Sequence, residues 1–367
     1  MRPEIQKRFA HLLGIEALLT LAGQTAGVFS IVYLVRSSIP LLEASIFYVE
    51  GFAVTTLLCL VVSRTGIKHP KRWMALGMLS LSLFYLSFLL LRGRALVLIA
   101  PLFFGPYIVG FWVPFNTLML RLTSKRNRGV TIGIFFLVFP LIGVAGPLAS
   151  GYIITNIGYE LIFALATAAL LCNAALILLS HVTASHHMSP RISVRGLGTR
   201  LSLALFFEGG QEGVWFTALP LLSLLFAEGE MVLGVLFSLF ALAGGIASVV
   251  AAHASDKTGD RARYVRAGAL LSAPFILGAA LAPEILTYAA ATSVTNLLII
   301  FVPVFLFALA ADRMEGDLPT SVLTRETLLN AGRVVGGVFC ALALLTGGIR
   351  TAYALSALFV IGAAAAR

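Results

Sequence analysis

Five polar side chains, Gln24, Glu50, Glu212, Asn296 and Arg333, lie near the centres of runs that are otherwise apolar and long enough to cross a bilayer. An ionisable group at the centre of such a run costs roughly 2.5 to 3.5 kcal/mol, so it persists where it pairs or faces a polar cavity. Glu208 and Glu212 stand four residues apart and share one helix face, with Gln211 and Trp215 nearby. Two carboxylates this close in a low dielectric resist joint ionisation, so one of them keeps its proton. Glu212, Glu208 and Glu50 are therefore candidate proton carriers. The alternative is that each hydrogen-bonds a neighbouring helix or, at 208 and 212, pairs with Arg333. Arg333 cannot shed its charge and needs an acceptor, either a carboxylate such as Glu212 or Glu50 or an anionic group of a substrate. Glu326, Asn330 and Arg333 fall on one helical stripe, followed by Gly336 and Gly337, which permit close helix approach. Glu16, near the inner end of the first run, is expected at a gate or helix contact, and Glu43 lies close enough to the outer surface to reach water.

Gln24, Tyr107, Trp215 and Asn296 join Arg333 as the candidate substrate contacts, with Tyr33, Phe104, Trp112 and Asn116 around them. Packing or an interfacial aromatic belt is the alternative for the rings. Pro106, Pro114, Pro220 and Pro303 interrupt the same runs and free backbone carbonyls there, which suits helices that bend.

The elements that must position these groups follow from composition. Of 367 residues, 59% are hydrophobic and 11% charged, with a mean hydropathy of +0.98. Soluble domains carry about 25% charged residues and break their apolar runs periodically, whereas here several runs are apolar on every face. Twelve blocks approach the length of a membrane helix: 11–35, 40–62, 73–91, 95–120, 130–155, 161–181, 201–226, 231–254, 265–281, 285–310, 321–345 and 351–366. The expected fold is an all-α integral membrane protein of twelve transmembrane helices. Blocks of this length exclude a transmembrane β-barrel, whose strands alternate over about ten residues. The first block is too long for a cleaved leader and is expected to stay as the first span.

The net charge of +10 is distributed by side rather than by patch. Basic residues follow the second, fourth, sixth and eighth blocks and precede the first, and Arg313 and Arg325 fall between the tenth and eleventh, while the other side has only Arg36, Arg92, Arg94 and Arg350. By the positive-inside rule both termini are cytoplasmic, so the basic balance is topology and not a nucleic-acid footprint; the expected location is the cell's inner membrane. Cys59, Cys172 and Cys340 have no paired spacing and read as small buried hydrophobes. The six histidines lie at block ends or in loops. There is no HExxH and no phosphate-cradling GxxxxGK[ST], so neither an enzyme nor an ATP-driven pump is indicated, and no cofactor or metal is expected.

The longest polar interval, 181–200, separates six blocks from six. Residues 1–181 and 200–367 are expected as two pseudo-symmetric six-helix bundles joined by a cytoplasmic linker at 182–199. The halves also echo each other. Ser63-Arg64-Thr65-Gly66 with its basic cluster answers Asp256-Lys257-Thr258-Gly259 with Arg261, and Gly23-Gln24-Thr25-Ala26-Gly27 answers Gly210-Gln211-Glu212-Gly213. Two echoes at similar offsets suggest a duplicated six-helix unit.

On these residues the chain resembles the major facilitator superfamily over essentially its whole length. That family repeats a loop of the form Gly-x-x-x-Asp-Arg/Lys-x-Gly-x-Arg/Lys, and the second copy here reads Ala252, Asp256, Lys257, Gly259, Arg261. The resemblance implies a gating latch in which Asp256 sits on a helix N-terminus, with Lys257, Gly259 and Arg261 beside it and Gly66 in the first copy; Glu326 is a further gating candidate. The first copy departs from the pattern, with Cys59 for the glycine and Ser63 for the aspartate. Gly146-Pro147-x-x-Ser150-Gly151 is close to an ending seen in the family's drug and proton antiporters, and close helix packing by small residues explains it as well. The resemblance also implies that spans one, four, seven and ten line a cavity.

The expected function is a monomeric secondary active transporter that moves a small organic solute by alternating access with proton coupling, its partners being that solute, protons and the lipid bilayer. The alternatives are a multidrug/proton antiporter, a uniporter or a channel, with a receptor or scaffold further off.

Overall fold

A computed structural model describes residues 3–121, 128–180, 187–258 and 260–366, with side chains described except at 3–9, 128–141 and 249–258. In chain order the helices are α1 (Pro3–Thr25), α2 (Ser30–Arg36), α3 (Leu41–Thr65), α4 (Pro70–Leu90), α5 (Gly93–Tyr107), α6 (Val113–Arg121), α7 (Arg128–Asn156) and α8 (Tyr159–Leu179). They continue as the short α9 (Val194–Leu197), α10 (Thr199–Ser223), α11 (Glu230–Thr258), α12 (Arg261–Ala280), α13 (Ile285–Ile299), α14 (Phe301–Arg313) and α15 (Leu318–Ala363). Among the described residues the only β pairing is an isolated bridge between Ile67 and Met188.

Eight helical stretches among the described residues are long and apolar enough to cross a membrane. The stretches formed by α10 and α12 are not among them. Their sequences explain this, because α10 carries Glu208, Gln211 and Glu212 and α12 opens with three arginines. The stretch that includes α15 counts once although the helix runs for 46 residues, about 69 Å at 1.5 Å per residue against a hydrocarbon core of about 30 Å. Gly348 breaks it. Its φ of 75° is open to glycine at no steric cost, and it turns the chain between the eleventh and twelfth expected blocks. Leu57, Leu90, Leu179 and Leu281 are among many large apolar side chains left on the outer faces. The chain is a multi-pass membrane protein, and lipid is the solvent for those faces.

Two interruptions have a residue-level cause. Pro114 offers no N–H to the carbonyl of Gly110, and the chain between α5 and α6 widens into a π-turn at Ile108–Trp112. Pro303 likewise leaves the Ile299 carbonyl without its partner, and α13 ends there before α14 begins.

The packing pairs repeat along the chain. In the first half α1 lies on α7 and α4 on α8, and in the second half α10 lies on the first part of α15 and α12 packs on α15 as well. Two further pairs, α3 with α15 and α7 with α11, join the halves. The α10–α15 seam is built of glycine. A Cβ on Gly209, Gly213, Gly332 or Gly336 would meet the backbone carbonyl of Leu329, Arg333, Phe206 or Gly210 respectively, so these helices approach nearly backbone to backbone.

Candidate functional site

Between the halves lies a cavity of about 560 Å³. Its wall takes residues from α1, α3, α4, α5 and α6 on one side and from α10, α11, α13, α14 and α15 on the other. The two helix breaks matter here, because the π-turn and the α13–α14 junction both belong to segments that face the cavity.

The polar centre is one ion pair. Arg333 on α15 donates from Nε to Glu212 Oε2 on α10 at 2.7 Å, and its Nη2 lies 2.6 Å from the same oxygen. Nη1 donates to Asn330 Oδ1 at 3.0 Å, and the Asn330 amide donates to the Glu326 carbonyl at 2.7 Å. The guanidinium carbon stands 5.3 Å from the centre of the Phe52 ring on α3, so the cation also rests on an aromatic face. The close α10–α15 seam makes this reach possible, since Gly213 lies directly against the backbone of Arg333.

A second cluster lies one to two turns away. Arg325 donates from Nη1 to Glu326 Oε1 at 2.8 Å, has Nη2 3.7 Å from Glu208 Oε1, and sits 4.7 Å from the Phe307 ring centre. Sequence reading counted Arg325 among the loop charges. The structure corrects this, because Arg325 lies inside α15, 9% exposed, with carboxylates on either side of it. The eleventh expected block, 321–345, already contained Arg325 as its fifth residue, and that place in the block was the signal.

Of the candidate substrate contacts, Gln24, Tyr107, Trp215, Asn296 and Arg333 all line the cavity, as do Glu212 and Glu326. Tyr107 receives the indole N–H of Trp112 at 2.9 Å, and the Asn296 amide donates to the Thr292 carbonyl of its own helix. Glu208 and Glu50 do not line it. Glu208 is buried behind the wall beside Arg325, with neither oxygen hydrogen-bonded. Glu50 is half-buried, on the stripe of α3 that carries the outward-facing Leu57 and Val61. Tyr33 is also turned away, packed edge-on against Phe88, Tyr159 and Phe163. Glu16 and Thr20, which sequence reading did not place in the site, line the cavity on α1.

Of the candidate gating residues, Asp256, Lys257 and Gly259 lie outside the described residues, the first two by their side chains. Arg261, at the start of α12, pairs with Asp312 near the end of α14. Gly66 ends α3 with φ 69°, and a Cβ there would stand 2.9 Å from the Met188 carbonyl. Part of the expected linker is strapped across two helices: Ile192 N–H donates to Ser63 on α3, and Arg191 and Ser193 N–H donate to Thr320 and Thr324 on α15. At the opposite end Glu230 on α11 accepts from Arg36 at 2.9 Å and from the Tyr159 hydroxyl at 3.0 Å.

No protein-family profile matches the sequence. The chain is 25% identical over 252 residues to an uncharacterised protein, YqgE, of Bacillus subtilis strain 168, a match covering 63% of this chain and 57% of that protein. It therefore spans less than two thirds of that relative's length. Its structure is similar to that of the human organic anion transporter MFSD10, with a TM-score of 0.69, 15% identity and 99% of both chains covered. It is also similar to the Escherichia coli fucose:proton symporter FucP, with a TM-score of 0.67, 14% identity and 97% of both chains covered. At such identities the likeness is one of fold.

Proposed function

On the premise that this chain carries the fold of the major facilitator superfamily, we propose that it is a secondary active transporter moving a small organic solute across the membrane by alternating access. The observation that carries this reading is the cavity itself, walled by both halves of the chain, with the Arg333–Glu212 pair in its wall. Its volume of about 560 Å³ falls within the roughly 300–1,000 Å³ of small-molecule sites. The channel, the alternative raised by the sequence, gains no such support from the repeated packing of helix pairs.

In this reading residues 1–181 and 200–367 are two bundles that rock about the cavity, and the strap within the linker tethers them at the cytoplasmic side. Under the positive-inside topology the Arg36–Glu230–Tyr159 cluster is the outer gate. Arg36 is 43% and Glu230 18% exposed at the side chain, so the pair contributes only about 0.2 to 1 kcal/mol. That is a useful size for a gate, since it biases two states by no more than about fivefold. Arg36→Ala is expected to enlarge the long-distance population between spin labels at Ser38 and Gly229. An unchanged distance distribution would remove the cluster from the gate.

Proton coupling is assigned in this reading to Glu212, because a proton on that carboxyl releases Arg333 from its partner. Glu208, buried beside Arg325, is the second candidate. Proteoliposomes and a solute found by thermal-shift screening provide the test. Glu212→Gln is expected to abolish accumulation driven by a pH gradient while leaving solute exchange. Glu50→Gln is expected to leave coupling intact, because Glu50 does not line the cavity. Coupling that survives Glu212→Gln and fails with Glu50→Gln would reverse the assignment.

A further inference from the structure

The charges of the cavity wall are unequally matched. Three carboxyls, Glu16, Glu212 and Glu326, face two guanidiniums, Arg325 and Arg333. Both guanidiniums are already engaged: Arg333 by Glu212 and the Phe52 face, Arg325 by Glu326, Glu208 and the Phe307 face. The carboxyl left over is Glu16. It is 1% exposed, and among the described residues neither of its oxygens has a hydrogen-bond partner. Asn173, which approaches α1 from α8, gives its amide to the Ile15 carbonyl and the Met78 sulfur instead. One turn further along the same face of α1, the Thr20 hydroxyl is also buried and unpartnered, and Gln24 follows it on the wall.

A buried carboxyl without a partner is costly, and native structures retain one where something else completes it. The remainder of the wall states what kind of group fits. Tyr85, Tyr107, Trp112 and Phe115 present rings to the same cavity, and in its wall two of the protein's own cations already rest on aromatic faces at 5.3 and 4.7 Å. An anionic ligand would instead have to compete with the carboxylates that already hold both guanidiniums, with Arg325 Nε the donor left without a hydrogen-bond partner among the described residues.

We propose that the cavity binds an organic cation, an amine or quaternary onium carrying aromatic or aliphatic groups, with its charge against Glu16 and its body among the rings. This deepens the transport reading and rests on it for the ligand's passage across the membrane.

Tetraphenylphosphonium and tetraphenylborate, nearly identical in shape and opposite in charge, test it on the purified full chain in neutral detergent by scintillation-proximity binding and its competition. The phosphonium is expected to bind saturably and at least about tenfold more tightly than the borate, and Glu16→Gln is expected to weaken phosphonium binding by at least about tenfold without lowering the unfolding temperature. Absence of saturable phosphonium binding, equal or tighter borate binding, or phosphonium binding indifferent to Glu16→Gln would overturn it. If the variant does not fold, the comparison of the two ions on the unmodified chain decides alone. Phosphonium bound through Glu16 but not moved by any gradient in vesicles keeps this site and sinks the transport reading. Transport of some other solute with no phosphonium preference does the reverse.

Discussion

Arg333→Ala is expected to lower the stability of the protein by about 3 kcal/mol and to abolish solute movement. Removing one partner of a buried ion pair typically costs about 3 to 5 kcal/mol, because the remaining charge is left uncompensated. The low end applies here, since the Glu212 side chain keeps 26% of its surface open to the cavity while that of Arg333 keeps 14%. Arg333→Ala also frees Asn330 Oδ1 and empties the space over Phe52. A paired replacement separates the two effects. Arg333→Met with Glu212→Leu restores an apolar contact of similar volume, so most of the stability is expected to return while transport stays lost. Thermal unfolding in detergent and flux in proteoliposomes read the two quantities. A stable, fully active Arg333→Ala protein would show that the pair is neither structural nor functional.

Gly213→Ala and Gly336→Ala are expected to be among the most damaging small substitutions in the chain. Each adds one methyl, and each methyl would fall on a backbone carbonyl, that of Arg333 for Gly213 and that of Gly210 for Gly336. A carbonyl inside a helix cannot swing aside as a side chain can, so α10 and α15 must separate. Overpacking typically costs about 1 to 3 kcal/mol, and clash with rigid backbone places these at or above the upper figure. Because Gly213 backs directly onto Arg333, the separation also pulls the guanidinium from Glu212, and ligand binding should fall together with stability. Gly14→Ala is the control: a Cβ there meets nothing within 4 Å, and the exchange in a helix is worth up to about 1 kcal/mol of stabilisation. Tolerance of Gly213→Ala equal to that of Gly14→Ala would mean the seam is looser than described.

Much of the wall was legible because polar groups stand out in apolar runs. Gln24, Tyr107, Glu212, Trp215, Asn296 and Arg333 were drawn from five separate blocks and meet at one cavity. The face on which a given residue falls was not legible. A helix apolar all round has no strong amphipathic signal, so Glu50 and Glu212, both near block centres, looked equivalent. Only packing turns one to the cavity and leaves the other on the stripe of Leu57 and Val61. Glu16 was undervalued for its nearness to a block end, and Arg325 was read as a loop charge because it sits where a block begins. Pro114 and Pro303 did announce the helix breaks of the fourth and tenth blocks, whereas Pro106 and Pro220, expected to interrupt their runs as well, lie inside α5 and α10. The turn at Gly348 depends on a backbone conformation that the sequence Thr346-Gly347-Gly348 permits but does not require.

The central claim is that one cavity is exposed to the two sides of the membrane in turn. Asn296→Cys in a background without Cys59, Cys172 and Cys340 places a thiol on the cavity wall without removing a hydrogen bond between helices among the described residues, where the Asn296 amide donates to Thr292 of its own helix. A membrane-impermeant thiol reagent is then applied separately from each side of sealed vesicles. The expected result is labelling from both sides, with the rate from one side rising and that from the other falling when Arg36→Ala loosens the Glu230 contact. Labelling from one side alone under every condition, or rates that rise together from both, would contradict alternating access.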